Sequence, residues 1–341
     1  MNQKAPSVEV DEDVPEKRSG AAGHSFEGEY MMNRVIILTA SLAFFGSTAF
    51  AGDIGVSISH SDSNLAVLVK GIKDRAAQSN QPLQIEFAEG DVNRQLSQVQ
   101  NFIAAKVDAI IVNTVETSAT PTVTKLAADA GIPLVYVNNT PSDIHELGTK
   151  AAFVGSDEKV AGTLEAKEVC RLLKERGKSE AADILIIQGV LANETAVLRS
   201  QAVHEVAAMP ECNFMKIIDE QSANWDPVKA QDLVTNWITA GYKPAAIISN
   251  NDEMAIGAIN SLKASGLDGV IVAGVDATKE AMQYMKNGDL QVTVFQDAIG
   301  QGAGSVDLAI KLAKGNRVES PLWIPYELVN PANVDTYLSK N

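Results

Sequence analysis

Ten short apolar runs recur between residues 53 and 296, and amphipathic helical patterns separate most of them. This alternation constrains the fold more than any other feature of the chain. The runs are "DIGVSIS" (53–59), "LQIEFA" (83–88), "DAIIVN" (108–113), "PLVYVN" (133–138), "AAFVGS" (151–156), "DILIIQG" (183–189), "NFMKIID" (213–219), "AAIISN" (245–250), "VIVAGV" (270–275) and "QVTVFQ" (291–296). Helical spacing occupies 94–105, 119–130, 157–175, 195–208, 227–240, 252–265 and 298–314. Short apolar strands alternating with helices predict parallel sheets covered on both faces. So many strands divide better between two sheets than they fit into one. The division falls near residues 155–157, where "AAFVGS" meets the helix-capping Asp157. The expected fold is therefore α/β, with two doubly wound parallel-sheet lobes and a ligand cleft between them.

The first 52 residues lack this pattern. Residues 31–51, "MMNRVIILTASLAFFGSTAFA", combine Arg34 near the start, a short apolar stretch and Ala-Phe-Ala ending at Ala51, the anatomy of a cleaved secretory signal. The apolar part is short and rich in small residues for a membrane span. Residues 1–30 are acidic and would not ordinarily precede a signal, so translation is expected to start at Met31 or Met32 and cleavage to fall near Ala51. A disordered cytoplasmic tail before an uncleaved anchor is the alternative. Export permits a disulfide between Cys170 and Cys212, but sequence alone cannot bring them within bridging distance, and two buried thiols are the simpler reading. With 43 acidic and 28 basic residues, a formal charge of −15 and no basic block, the chain lacks the clustered Lys/Arg face that nucleic acid requires.

Polar residues gather where the strands end. The first run leads into "SHSDSN", the fourth ends at Asn138 and Asn139, the sixth leads into "QGVLANETAVLR", the eighth ends in "SNND", the ninth reaches Asp276 and the tenth reaches Gln296 and Asp297. One such ending is most simply a helix cap, because Asn, Asp and Ser are preferred there. Six at the same edge of two sheets point to a polar pocket in the crevice beyond the carboxyl ends of the strands. Within "ISNNDEMAIGAI", Asn250 or Asp252 is expected to start the helix while Asn251 faces the cleft.

Residues 53 to about 330 resemble the type I periplasmic sugar-binding proteins, the family that holds the ribose-binding and galactose/glucose-binding proteins. The resemblance rests on "IGVSISHSDSN", "VDAIIVNTVETSATPTVTKLAADAGIPLVYVNN", "VGSDEKVAG", "NWDPVKAQDLVTNWI", "ISNNDEMAIGAI", "AGVDATKEAM" and "QVTVFQDAIGQGA", in the family's order. It implies a periplasmic, monomeric receptor that closes on a monosaccharide and delivers it to the membrane subunits of an ABC permease, with a chemoreceptor as an open second partner. It also implies three crossover segments, here near residues 155–157, 296–298 and 316–321. The lobes would then be 53–156 plus 298–318 and 157–296 plus 319–341.

The resemblance also implies site residues. The first-strand loop offers Asp62, Ser63 and Asn64, with Leu65 where an aromatic ring is usual. Asn138 matches a sugar-binding position, with Asn139 beside it. Arg199 matches the arginine that binds ring and hydroxyl oxygens, and Asn193 and Thr195 occupy adjoining positions where relatives often carry charge. Trp225 matches the stacking aromatic, Asn251 an amide, Asp276 the acceptor carboxylate and Gln296 the amide at the hinge. These residue types suit a polyhydroxylated ligand, since each hydroxyl both donates and accepts and charge-assisted bonds are the stronger ones. Trp225 could instead be a core residue at a helix start, whereas Trp237 reads as core beside Leu233 and Val234. His60 could reach the ligand or could cap and face solvent. Leu65, Asn193 and Thr195 depart from the family pattern and admit a pentose, a deoxy or amino sugar, or a cyclic polyol of the inositol type.

Other chemistries find little support. The four histidines are dispersed without metal-ligand spacing, and "ERGKSEAAD" has too few carboxylates for a calcium loop, so neither metal nor cofactor is expected. No phosphate-binding glycine loop or nucleophile elbow appears. A regulator of the lactose-repressor type would need a DNA-binding helix-turn-helix before residue 53, where an acidic stretch and a signal stand instead. A sugar lyase or isomerase would need an acid–base pair in the cleft, which Asp276 and Arg199 do not make.

Overall fold

A computed structural model describes residues 52–340. The expected extension and export signal, residues 1–51, lie outside the described residues. In chain order the elements are β1 (Ile54–Ile58), α1 (Ser63–Gln78), β2 (Leu83–Phe87), α2 (Val92–Ala105), β3 (Ala109–Val112), α3 (Thr120–Ala130), β4 (Leu134–Asn138), β5 (Ala151–Gly155), α4 (Glu158–Glu175), β6 (Ala182–Gln188), α5 (Glu194–Ala207), β7 (Met215–Ser222), α6 (Pro227–Thr239), β8 (Ala246–Ser249), α7 (Asp252–Ala264), β9 (Ile271–Ala273), α8 (Lys279–Lys286), β10 (Thr293–Phe295), α9 (Ala298–Ala313), β11 (Leu322–Trp323), β12 (Glu327–Val329) and α10 (Val334–Tyr337).

They form two parallel sheets, in the orders β11-β5-β4-β3-β1-β2 and β7-β6-β8-β9, and an antiparallel pair, β10-β12. Isolated bridges from Ala273 to Val292 and from Asp276 to Phe295 tie the antiparallel pair to the edge of the second sheet. Each sheet is buried on both faces, as the apolar runs require. One face of the first packs Ile54, Val56 and Ile111 against α1 and α9, and the other packs Ile110, Val112 and Tyr136 against α2 and α3. The second sheet places Ile184, Ile186 and Ile248 against α4 and α5, and Leu185, Ile187 and Ile247 against α6 and α7.

The chain passes between the sheets after β5, after β10 and between Trp323 and Glu327. The third passage lies later than the 316–321 expected. Leu322 pairs with Val154 in parallel register, and Phe153 N–H donates to Ser320 Oγ at 3.0 Å, so residues 319–323 sit with the first sheet instead of the second. Two- and three-residue strands such as β11 and β12 are too short to show periodicity, which is why the sequence concealed them.

Cys170 on α4 and Cys212 before β7 form a disulfide, with their Cα atoms 5.8 Å apart. This departs from the simpler expectation of two buried thiols. The helix α4 and the turn preceding β7 pack on the same face of the second sheet, and that juxtaposition is tertiary.

Candidate functional site

The carboxyl ends of β1, β4, β6, β8 and β9 open toward one cleft, where a cavity is lined by side chains from both sheets. The first lobe, meaning the first sheet with its helices, contributes His60, Asp62, Asn64, Leu65, Asn138 and Asn139. The second contributes Thr195, Arg199, Trp225, Asn251 and Asp276, and Gln296 stands at the passage between them. Of the twelve residues named from sequence, ten line this cavity, and Ser63 and Asn193 do not.

The two exceptions have definite work elsewhere. Ser63 donates from its backbone N–H and its hydroxyl to Glu253 Oε1 at 2.8 and 2.5 Å, a contact between the lobes. Asn193 is the N-cap of α5, accepting from Thr195 N–H at 3.0 Å, and its side chain faces an outer groove. Asn251 proves to be the cap of α7, accepting from Met254 N–H at 3.0 Å while also lining the cavity. Neither Asn250 nor Asp252 takes that role. Asn250 Oδ1 accepts from Gly189 N–H at 3.1 Å, and Asp252 accepts from Thr293 Oγ1 at 2.7 Å and Thr278 N–H at 2.8 Å.

In the first lobe Asp62 caps α1 by accepting from Leu65 N–H at 2.6 Å, and its other oxygen holds His60 Nε2 at 2.9 Å. His60 Nδ1 meets Ser59 Oγ at 2.9 Å, so the imidazole is fixed from both nitrogens against the cavity wall. Asn64 Nδ2 donates to Gln296 Oε1 at 2.8 Å. Asn138, held at φ +68°, donates to Gln301 Oε1 at 3.1 Å and accepts from Asn113 Nδ2 at 3.2 Å. A left-handed backbone at a site residue that is not glycine is the kind of local strain that surrounding structure must hold in place.

Arg199 is 3% exposed and every nitrogen of its guanidinium has a partner. Nε donates to Glu158 Oε2 at 2.6 Å, one amino group to the Asn250 carbonyl at 2.6 Å and the other to Tyr326 OH at 2.8 Å. The α4–α5 crossing that delivers Arg199 is tight, since a Cβ at Gly162 would stand 2.3 Å from the Arg199 carbonyl oxygen. Tyr326 OH in turn donates to Glu158 Oε2 at 2.9 Å and accepts from Gln296 Nε2 at 2.7 Å. Glu158 follows the first passage between the lobes, Gln296 lies at the second and Tyr326 in the third, so one hydrogen-bonded network ties all three to the cavity.

Charge in this network is unevenly shared. Burial pushes the Glu158 carboxyl above its usual range, and Arg199 offsets only part of that cost. Burial likewise works against the Arg199 charge, but Glu158, Tyr326 and Asp276 outweigh it and hold the guanidinium protonated. Two donors, Arg199 Nε and Tyr326 OH, converge on one Glu158 oxygen, which favours the carboxylate. Burial also drives Asp276 well above the usual carboxylate range, with Arg199 opposing and Asp252 reinforcing the rise.

Trp225 closes one side of the cavity. Asn224 and Trp225 both adopt left-handed backbone, at φ +55° and +64°, and the indole rests on Gly189, where a Cβ would lie 2.1 Å from the ring. Further bonds join the lobes around the cavity: Thr195 Oγ1 donates to Asn139 Oδ1 at 3.3 Å, Glu194 N–H to Thr117 Oγ1 at 3.0 Å, and Thr117 N–H to the Ala192 carbonyl at 3.1 Å.

Sequence reasoning missed Glu158, Tyr326, Gln301 and Glu253. A signal for Glu158 was present. It shares the buried face of α4 with Ala161, Gly162 and Glu165, and an acid on such a face needs a partner. Tyr326, 127 residues from Arg199, left no such trace.

Residues 54–317 match the family model described as the periplasmic binding protein domain, and the chain belongs to that family. It is 48% identical over 314 residues to the putative rhizopine-binding protein of Rhizobium meliloti, covering 91% of this chain and 100% of that one. An ABC transporter solute-binding protein from Bacillus halodurans, solved with bound myo-inositol, superposes with a TM-score of 0.80 at 39% identity, covering 86% of this chain and 100% of that one. A second, from Actinobacillus succinogenes with bound D-allose, superposes with a TM-score of 0.76 at 28% identity, covering 84% and 100%.

Proposed function

We propose that this member of the periplasmic binding protein family captures a cyclic polyol of the inositol class between its lobes and presents the closed form to the permease of an ABC transporter. The observation that carries this reading is the lining of the cavity. Only Leu65 and Trp225 among the lining residues are apolar, and the rest offer hydrogen bonds around the perimeter.

A hydroxylated carbocycle suits such a site better than a pyranose clamped between two aromatic rings. Trp225 covers one apolar C–H face, and Leu65 stands where a second ring would be needed. Hydroxyls all round the ring meet an acceptor carboxylate at Asp62, a carboxyl at Asp276 that burial favours in its protonated form, and donors at Arg199, Asn64 and Asn251. The 48%-identical relative is named for rhizopine and the 39%-identical structure holds myo-inositol, which supports the same class of ligand. Contacts from both lobes give the ligand its higher affinity for the closed form, the differential that any ligand-driven closure requires.

Family membership places the working protein in the periplasm. We read residues 31–51 as the export signal, removed near Ala51, and N-terminal sequencing of the exported protein tests this.

A thermal-shift panel of inositols, pentoses, hexoses and alditols tests the ligand. A true ligand at ~100 times its dissociation constant adds about 2.7 kcal/mol of stability. The reading requires the largest shift from an inositol. A larger shift from a hexose or pentose would move the assignment to a monosaccharide.

A further inference from the structure

Outside the ligand cavity lies a second, larger space, walled by loops of both lobes. The two spaces share His60 and Trp225, so these side chains form the boundary between them. Both are held in place. His60 is fixed through both ring nitrogens by Ser59 and Asp62, and the indole of Trp225 rests on Gly189 from a left-handed backbone. Left-handed backbone at a bulky residue costs free energy, and here it sets the indole between the two spaces.

We propose that this outer groove is a second subsite, which takes a neutral hydroxylated substituent, such as a glycosyl group, carried on the ring bound inside. The inference rests on the cyclic-polyol reading of the inner cavity. Trp225 borders both spaces, so its indole serves the inner ring and the first sugar beyond it. The far walls carry Glu89 and Glu116 from the first lobe and Asn193 and Asn224 from the second, groups suited to sugar hydroxyls. The remaining charged wall residue, Lys229, lies 4.0 Å from Asp226, which offsets its charge. The groove is thus acidic on balance and repels phosphorylated or carboxylated substituents. The protein accordingly accepts a glycosylated polyol as well as the free one.

The test compares myo-inositol with galactinol, a galactosyl-inositol, by calorimetric titration of the wild-type protein and two variants. Ser61→Trp and, independently, Glu116→Trp fill the groove from an exposed and a half-buried wall position without touching the inner cavity. Wild type should bind galactinol within tenfold of myo-inositol. Each variant should leave myo-inositol within threefold of wild type and weaken galactinol at least tenfold. The proposal is overturned if wild type binds myo-inositol but not galactinol, or if both variants weaken the two ligands equally. Failure of myo-inositol itself to bind would instead remove the polyol reading, and this inference with it.

Discussion

Replacing Arg199 by methionine keeps the side-chain length and removes the charge together with three hydrogen bonds, to Glu158, Asn250 and Tyr326. The worst consequence falls on Glu158, 1% exposed, which would keep only the Tyr326 hydroxyl. Breaking a buried ion pair from one side costs about 3–5 kcal/mol, because the surviving charge stays desolvated. Against a total stability on the order of 5–15 kcal/mol, that is a large loss but leaves a folded protein. Adding Glu158→Gln removes the stranded charge, and the double variant should recover at least ~2 kcal/mol of the loss. The assay is denaturant unfolding of the ligand-free protein. An Arg199→Met loss below about 1 kcal/mol, or a double variant less stable than the single one, would refute the reasoning. The corollary concerns ligand studies: an arginine that knits three passages between the lobes is a poor probe of sugar binding, since its removal alters the unliganded protein.

Three further outcomes follow from other parts of the structure. Trp225→Ala should weaken ligand binding by roughly 30- to 150-fold, on the order of 2–3 kcal/mol of lost aromatic cover, with a smaller effect on ligand-free unfolding because the residue is only half-buried; titration beside denaturation separates the two. Burial pushes the Asp252 carboxyl up to about 7, above its unfolded value, so the stabilising protonated form is fully present below the unfolded pKa and is lost as pH rises through the folded one. Unfolding free energy should therefore fall from about pH 4 to pH 7, and Asp252→Asn should flatten that slope; a slope unchanged in the variant would place the proton elsewhere. Replacing Cys170 and Cys212 together by serine opens a cross-link between residues 42 apart in sequence and should cost up to about 4 kcal/mol of chain entropy, read as a lower denaturation midpoint under oxidising conditions.

Much of this architecture was legible because parallel strands buried on both faces leave continuous apolar runs, and because polar residues collect where those runs stop. Asn138, Asp276 and Gln296 could be placed at a cleft on that ground alone. What the pattern could not separate were roles that look alike in sequence. Asn251 caps a helix and lines the cavity at once, Asn193 caps a helix and faces outward, and Ser63 turns from the cavity to reach Glu253. The choice is made by tertiary contacts that the local sequence does not carry. The network of Glu158, Arg199, Gln296 and Tyr326 was less legible still, since its members come from separate passages between the lobes. The disulfide escaped for the same reason: the packing of α4 against the turn before β7 carries no local signature.

The central claim is that hydroxyls all round one small ring are paired with buried groups in the cavity. Calorimetric titration with myo-inositol and a set of its monodeoxy analogues tests it most directly. Each missing hydroxyl leaves a desolvated partner unpaired at a cost of ~1–3 kcal/mol, so each analogue should bind roughly 5- to 150-fold more weakly than the parent. Analogues that bind as tightly as myo-inositol, or a parent that fails to bind, would contradict the account.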